Sequence, residues 1–304
     1  MTSELMTSEH GAVAWRVIAG TARGSAHHAR HMPNQDAVGS VSESVTTIVA
    51  VADGHGHARH ARSATGSRLA VRVACRAGAQ FAAALSGHPA EAEAGAGIAA
   101  IARELLPRAI VGDWRAEVAT HLAANPYTAR EQAALAAGDR SEVPYGSTLL
   151  VAVRAGSWLV CAQIGDGDML VVRPDGTASR PVAGDSRLDG QHTTSLCQQD
   201  AAESFRVGVH DLGTLAVLSL LLATDGYGNA QAAEDWEPEV ARDLAAFAAE
   251  HDHCWFAQQL PAWAQRCAST EGSGDDTTIA LLMPANSTEL AASARRESAH
   301  SSGQ

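Results

Sequence analysis

The sequence predicts an α+β fold, an αββα sandwich in which two antiparallel β-sheets pack together and are flanked by α-helices. Strand-like apolar runs follow one another with short turns between them, and such hairpins favour antiparallel sheets over a doubly wound parallel sheet. Alanine-rich segments with helical spacing lie in two blocks, which indicates that helices cover both outer faces.

The predicted strands follow two designs. Three apolar runs share a turn-forming Asp-Gly step at their C-terminal end. They are residues 45–52, 158–164 and 215–224, followed by Asp53, Asp166 and Asp225. Residues 277–283 have the mirror order, because Asp275 and Asp276 precede the run. Further strands are predicted at residues 14–19, 148–153 and 169–172.

Helical spacing of small and apolar residues marks the segments between these strands. One helix is predicted over residues 58–84, and two more within residues 96–137, broken near Gly112 and Pro126. Another two are predicted within residues 234–270, with a break near His251.

The chain of 304 residues is within reach of one large domain, which we assign to residues 14–284. Residues 1–13 are expected to be a flexible N-terminus, and residues 181–213, rich in turn residues, an inserted flap or irregular loop. Residues 285–304 lack apolar periodicity, so we expect a disordered tail.

Composition excludes several classes of protein. The net charge of −12, without a basic stripe, argues against nucleic acid as a partner. An odd number of cysteines, 5, without a C-x-x-C pair argues against a disulfide framework or a zinc knuckle. The N-terminus has no apolar signal segment, and the longest apolar run, residues 215–223, is too short to span a bilayer. We therefore expect a cytoplasmic protein that does not bind membranes.

The aspartates beside the predicted strands suggest a metal centre. A single Asp-Gly step is most simply a turn, as we expect for Asp175-Gly176. Strand ends can converge on one edge of a sandwich, however, and would bring Asp53, Asp225 and Asp275 together. Crowded carboxylates repel one another and need a cation to stay ionised. Oxygen ligands without cysteine favour Mg²⁺ or Mn²⁺.

Six segments carry a more specific resemblance. They are PNQDAV (33–38), VADGHGH (51–57), GSTLLVAV (146–153), IGDGDMLVV (164–172), LLATDGYGNA (221–230) and GSGDDTTIALL (272–282). In this order they resemble the N-E-D, D-G-H-x-G, G-S-T, G-D-S-R, S-D-G and D-N-x-T elements of the type 2C (PPM) metal-dependent protein phosphatases, in their bacterial form. The resemblance covers roughly residues 14–284.

The resemblance implies an enzyme that hydrolyses phosphoserine and phosphothreonine in proteins with a metal-activated water. It implies two, or with a weaker site three, Mn²⁺ or Mg²⁺ ions, and a Ser/Thr kinase as the counterpart. Asp53 would bridge the first and second ions, and Asp225 and Asp275 would complete the first site. Asp166 would lie at the third site or in a nearby hydrogen-bond network.

The remaining implied roles concern the second ion and the substrate. The Gly54 carbonyl and Asp36 would hold the second ion, and His55 would protonate the leaving oxygen. The family's phosphate-binding arginine falls on His31, next to Arg30, so we expect one of these two residues to contact phosphate.

This chain departs from the family pattern at several positions. Gln35 stands where many members have glutamate, which is expected to weaken the second metal site or shift it onto Asp36. The G-D-S-R element reads G-D-G-D, and Asp276 replaces the usual asparagine.

Three alternatives stay open at this point. A pseudophosphatase would keep the fold for binding or regulation, and a phosphatase of a small metabolite would use the same chemistry. A zinc hydrolase or zinc-binding module would need three or four convergent ligands, and the chain offers two histidine-containing groups as candidates. These groups are His55, His57 and His60, and residues 251–254.

Overall fold

Two antiparallel sheets form the centre of the computed structural model, which describes residues 13–43, 45–85, 92–188 and 193–301. Within that part of the chain the strands are β1 (Trp15–Ala22), β2 (Ala37–Glu43), β3 (Thr46–Ala52), β4 (Leu149–Ala155), β5 (Trp158–Ile164), β6 (Asp168–Val172), β7 (Ala178–Ser179), β8 (Arg206–Asp211), β9 (Ser219–Ala223) and β10 (Thr277–Pro284). The first sheet has the order β1-β10-β9-β6-β7, and the second has the order β2-β3-β4-β5-β8.

Helices cover the outer faces of both sheets. Across the described ranges they are α1 (Ser25–Ala29), α2 (Ser63–Leu85), α3 (Ala92–Ala124), α4 (Ala129–Ala133), α5 (Ala201–Ser204), α6 (Asp225–Gly228), α7 (Glu237–Glu250), α8 (His253–Cys267) and α9 (Ser287–Ser301). Helices α2 and α3 pack on the second sheet, and α7 and α8 pack on the first. The predicted αββα sandwich of an α+β protein is confirmed.

The central strands are buried on both faces, which explains why they appear in the sequence as continuous apolar runs. In β3, Ile48 and Ala50 pack into the core beneath α2 and α3. Val49 and Val51, on the opposite face, pack into the core between the sheets with residues such as Leu222 of β9. Alternation along one strand therefore fills two cores at once.

The predicted flap over residues 181–213 is partly wrong. Residues 206–211 form β8, an edge strand that pairs with β5, so that Asp211 lies opposite Trp158. The strand is half-buried along its whole length and contains Arg206, His210 and Asp211, so it lacks the apolar signal used for prediction. Residues 189–192 of the predicted flap lie outside the described residues.

The predicted break near Gly112 is also wrong, because α3 continues from Ala92 to Ala124 through both Pro107 and Gly112. A glycine costs a helix only about 1 kcal/mol. Burial of Leu106, Ile110 and Trp114 on the face toward the core offsets that cost. The helix ends before Pro126, and α7 ends at Glu250, as the sequence predicts.

The C-terminal segment is not the disordered tail that the sequence suggests. Residues 287–301 form α9, which packs against α7. Ala291 is fully buried, and Thr288 Oγ1 donates a hydrogen bond of 3.2 Å to the carbonyl of His251. The helix has few large apolar residues, so its contacts with α7 could not be inferred from its own sequence. The predicted flexible N-terminus, apart from Val13, lies outside the described residues.

The described helices include none that combines the length and apolar character needed to cross a membrane.

Candidate functional site

The aspartates singled out in the sequence lie at one edge of the sandwich because of strand register. Asp36 precedes β2 and Asp53 follows β3, and the neighbouring residues Ala37 and Ala52 pair across these strands. Asp225 follows β9 and Asp275 precedes β10, which is the adjacent strand of the first sheet. Both sheets therefore present carboxylates at the same edge.

Thr224 connects the two sheets at this edge. Its hydroxyl donates a hydrogen bond of 2.8 Å to Asp36 Oδ2 and accepts one of 2.9 Å from the backbone N–H of Thr278. Asp36 is 8 % exposed, and its other oxygen, Oδ1, has no hydrogen-bond partner among the described residues. Burial raises the pKa of Asp36 to about 8, opposed by the hydroxyls of Thr224 and Thr278.

The pKa values of Asp53 and Asp225 are raised, as is that of Asp36. Burial raises the pKa of Asp53 well above its ordinary value, and the negative charges of Asp36 and Asp225 raise it further. Burial also raises the pKa of Asp225 to about 7, with Asp166 and Asp275 as the next contributors. These carboxylates lie close enough to disfavour one another's ionisation, which a bound cation would reverse.

The loop after β3 is held tightly on both sides. The N–H of Asp53 donates to Thr148 Oγ1 at 3.1 Å, and the N–H of Thr148 donates to the Asp53 carbonyl at 2.8 Å. A Cβ on Gly54 would lie 2.8 Å from the carbonyl oxygens of Gln35 and Ser63. Glycine is therefore required at position 54 for the loop to approach these two segments.

His55 lies next to this loop and is neutral near pH 7. Its Nε2 lies 2.7 Å from Ser195 Oγ, and its ring meets the ring of His60 edge-on at 4.8 Å between centroids. Burial, followed by the neighbouring His60, lowers the pKa of His55 to about 3. Sequence reasoning missed Ser195, because it lies in a polar segment without periodicity or motif.

Asp166 and Asp168 have different surroundings although they belong to one motif. Asp166 is exposed in the turn after β5, where Gly165 has a φ of 99°. Asp168, which stands where the G-D-S-R element has arginine, is buried at the start of β6. Arg180 Nη2 lies 2.9 Å from Asp168 Oδ1 and 2.6 Å from Glu237 Oε1.

Arg30 and His31 are exposed at the C-terminal end of α1. His31 has a φ of 56°, so the chain turns sharply there before it reaches Gln35 and Asp36. This position is open to a ligand from solvent.

Asp276 is a buried acceptor of several hydrogen bonds. Its Oδ1 accepts from the N–H of Gly24 at 2.7 Å, and its Oδ2 accepts from the N–H of Gln35 at 2.5 Å. His27 Nδ1 lies 2.7 Å from the same Oδ2, and His27 Nε2 lies 3.8 Å from Asp275 Oδ1. His27 gave no signal in the sequence, where it is one of several histidines near residue 30.

The histidines of residues 251–254, the second candidate zinc group, have separate structural roles at the junction of α7 and α8. His251 stacks on Trp255 with 4.1 Å between ring centroids. Asp252 Oδ1 caps α8 by accepting from the N–H of Trp255 at 3.0 Å, and His253 Nε2 lies 3.2 Å from the Pro284 carbonyl. These contacts fit a helix boundary, as the sequence suggests.

The donor set at the sheet edge fits a hard divalent cation. Among the residues that the structure describes, no group of three or more His, Cys, Asp or Glu side chains is arranged to hold a metal ion. Mg²⁺ usually keeps several waters and needs only one or two carboxylates. Asp36 Oδ1 and Gln35 Oε1 are both buried oxygens without hydrogen-bond partners in the described chain, so oxygen donors are available.

A comparison with protein-family models identifies the class. The model described as protein phosphatase 2C matches residues 23–264, which is most of the chain. The chain belongs to the protein phosphatase 2C family. A comparison with curated protein sequences finds no match.

Solved structures share the fold at low sequence identity. A serine/threonine phosphatase of S. agalactiae is 16% identical with a TM-score of 0.55, over 89% of this chain and 99% of that one. PppA, a key regulatory component of T6SS in Pseudomonas aeruginosa, is 19% identical with a TM-score of 0.52, over 90% and 99% of the two chains. The Mycobacterium tuberculosis serine/threonine phosphatase PstP/Ppp is 17% identical with a TM-score of 0.51, again over 90% and 99%.

Proposed function

We propose that this protein is a metal-dependent phosphatase that hydrolyses phosphoserine and phosphothreonine esters in proteins. The observation that carries the proposal is the crowding of Asp36, Asp53 and Asp225 at the edge where Thr224 joins the two sheets. Such an arrangement, in a chain of the protein phosphatase 2C family, supports a cation site that binds phosphate.

The residues at this edge would hold the ions. We assign Asp53 to both ions, and Asp225 and Asp275 of the first sheet to the first ion. Asp36 and the Gly54 carbonyl would hold the second ion, beside Gln35. When bound, Mn²⁺ or Mg²⁺ ions lower the pKa of water and neutralise phosphoryl oxygens. Asp166, exposed and close enough to raise the pKa of Asp225, is the proposed ligand of a weaker third ion.

His55 is the proposed proton donor to the departing seryl or threonyl oxygen. It has to be protonated to do so, whereas its imidazole is neutral near pH 7 in this structure. The negative charge of a bound phosphomonoester would favour protonation of an adjacent imidazole. We therefore assign His55 its acid role only in the complex with substrate.

Arg30 and His31 are the proposed contacts for phosphate before hydrolysis. Both are exposed, and an arginine can bind two phosphate oxygens at once. The substrates would be phosphorylated proteins, and the counterpart enzyme a Ser/Thr kinase.

A pseudophosphatase is the second candidate, supported by Gln35 in the position of the family's glutamate. The two candidates differ in turnover. Protein stripped with EDTA should hydrolyse neither p-nitrophenyl phosphate nor a phosphoserine peptide, and added Mn²⁺ or Mg²⁺ should restore both activities. Metal binding without turnover of either substrate would favour the pseudophosphatase, and faster turnover of a phosphorylated metabolite would change the substrate class.

A further inference from the structure

His27 is a buried histidine held between two consecutive aspartates. It is 5 % exposed, with Nδ1 2.7 Å from Asp276 Oδ2 and Nε2 3.8 Å from Asp275 Oδ1. Asp276 also accepts from the backbone N–H groups of Gly24 and Gln35, so its carboxylate serves as an acceptor on every side. Nδ1 is therefore placed to donate to Asp276, and in the neutral imidazole Nε2 has a lone pair that faces Asp275.

The side-chain oxygen of Gln35, Oε1, lies near His27 Nε2. A Cβ placed on Gly56 would lie 3.7 Å from His27 Nε2 and 3.8 Å from Gln35 Oε1, so both atoms border one space. Gln35 is 4 % exposed, and its Nε2 donates to Ser63 Oγ at 2.5 Å. Its Oε1 has no hydrogen-bond partner in the described part of the chain.

Gln35 Oε1 and the Nε2 of a neutral His27 are electron-pair donors, so they cannot form a hydrogen bond with each other. Gln35 Oε1 lacks a partner in the described chain, and such a buried polar atom is uncommon and costs free energy unless something binds it. Water could supply hydrogens, but the Asp275 carboxylate, 3.8 Å from His27 Nε2, favours a cation instead. Nitrogen and oxygen donors together suit a first-row divalent ion.

We propose that His27 is a nitrogen ligand, through Nε2, of the cation site that contains Asp275. This inference rests on the proposed metal-dependent function. The separation of 3.8 Å between Nε2 and Asp275 Oδ1 is shorter than the sum of two metal–ligand bonds of about 2.1 Å, so one ion can contact both atoms. Asp276 then acts as the outer carboxylate that orients a ligating imidazole.

The proposal gives Asp276 a function that an asparagine would serve less well. A carboxylate that accepts from Nδ1–H keeps the Nε2 lone pair available and raises its basicity. The imidazole also gives the site a preference for Mn²⁺ over Mg²⁺, since nitrogen ligands suit transition metals better than Mg²⁺.

The test is pulsed electron paramagnetic resonance of the full-length protein loaded with Mn²⁺, which detects the nitrogen of a coordinated imidazole. Wild type should show this coupling, and His27→Gln should lose it. His28→Gln is the matched control, because His28 is the exposed neighbour and contacts Arg23 instead. Calorimetric titration should show Mn²⁺ affinity reduced by about 10-fold or more in His27→Gln, with a smaller change for Mg²⁺.

Each outcome is informative. Bound Mn²⁺ without nitrogen coupling in wild type, or coupling that persists in His27→Gln, would overturn the role of His27 and leave the proposed function intact. Failure of wild type to bind Mn²⁺ would overturn the metal-dependent function itself. Circular dichroism checks folding, and His27→Asn is the second variant, because its amide keeps a polar group beside Asp276.

Discussion

His55 and Ser195 are joined by a hydrogen bond of 2.7 Å between Nε2 and Oγ. Ser195 Oγ also accepts from the N–H of Ser147 at 3.2 Å, so one hydroxyl connects the loop after β3, the start of β4 and the segment before α5. His55 thus has a structural contact in addition to the acid role proposed for it. The two roles make different predictions.

Replacing His55 by alanine should slow hydrolysis of a phosphoserine peptide by about 10²–10⁴-fold, the usual contribution of a general acid. The effect on p-nitrophenyl phosphate should be much smaller, because nitrophenolate leaves without a proton. Steady-state kinetics on both substrates measure the ratio.

Ser195→Ala is the control for this experiment, because it removes the hydrogen bond without removing the imidazole. It should affect both substrates equally. If His55→Ala also slows both substrates equally and is rescued by extra Mn²⁺, then His55 supports the metal loop and is not the acid.

Replacing Asp53, Asp225 or Asp275 by asparagine should lower turnover by orders of magnitude, because each change removes a charged ligand from the cation site. The folded structure should persist in circular dichroism. Asp175→Asn is the matched control: Asp175 lies in a β6–β7 turn, where its Oδ1 accepts from the N–H of Thr177 at 2.9 Å. Equal losses of turnover for Asp175→Asn and Asp225→Asn would contradict the assignment of Asp225 to the cation site and of Asp175 to a turn.

The raised carboxylate pKa values predict that metal-free protein loses stability as pH rises from about 6.5 to 8. Asp36 and Asp225 have folded pKa values of about 8 and about 7, whereas both are ionised in the unfolded chain at these pH values. Folding therefore takes up protons, and its free energy becomes less favourable as pH rises through the folded pKa values. The lowered pKa of His55 has the opposite effect, but only below about pH 6.5.

Urea unfolding in EDTA should show a loss of about 2 kcal/mol between these two pH values from Asp36 and Asp225, and the raised pKa of Asp53 acts in the same direction. Added Mn²⁺ should stabilise the protein more at the higher pH, because the ion binds ionised carboxylates. Asp36→Asn should reduce the slope in EDTA. A metal-free protein whose stability does not change over this range would show that these carboxylates are already ionised.

The C-terminal helix α9 should contribute to stability but not to turnover. Ala291→Asp would place an unpaired charge in a fully buried position against α7, and should destabilise the fold by about 3 kcal/mol. Ser293→Asp, at an exposed position of the same helix, should change stability little. Chemical denaturation measures both, and equal stability of the two variants would show that α9 does not dock in solution.

Strands with a continuous apolar run could be predicted from the sequence, and a strand without such a run, β8, could not. The runs that became β3, β5 and β10 are apolar on both faces, and their signal does not depend on neighbours. Strand β8 carries Arg206 and His210, and its stability comes from pairing with β5, which only the folded structure reveals.

The same distinction holds for the candidate site. Asp53, Asp225 and Asp275 stand in motifs next to predicted strands, and strand register places each of them at the same edge of its sheet. His27 and Ser195 belong to no such pattern, because their positions depend on contacts with residues far away in the chain, such as Asp276 and Ser147.

The pairing of Asp168 with Arg180 restricts the order in which these two positions can be substituted during evolution. The Asp168 side chain is only 12% exposed, so substitution of Arg180 first would leave a buried carboxylate without its cationic partner. Arg180 is 45% exposed and also contacts Glu237, so it would keep a partner if Asp168 changed first. An arginine introduced at position 168 in a single step would face Arg180. Divergence between the two versions of this motif is therefore expected to pass through a neutral residue at position 168, before Arg180 is free to vary.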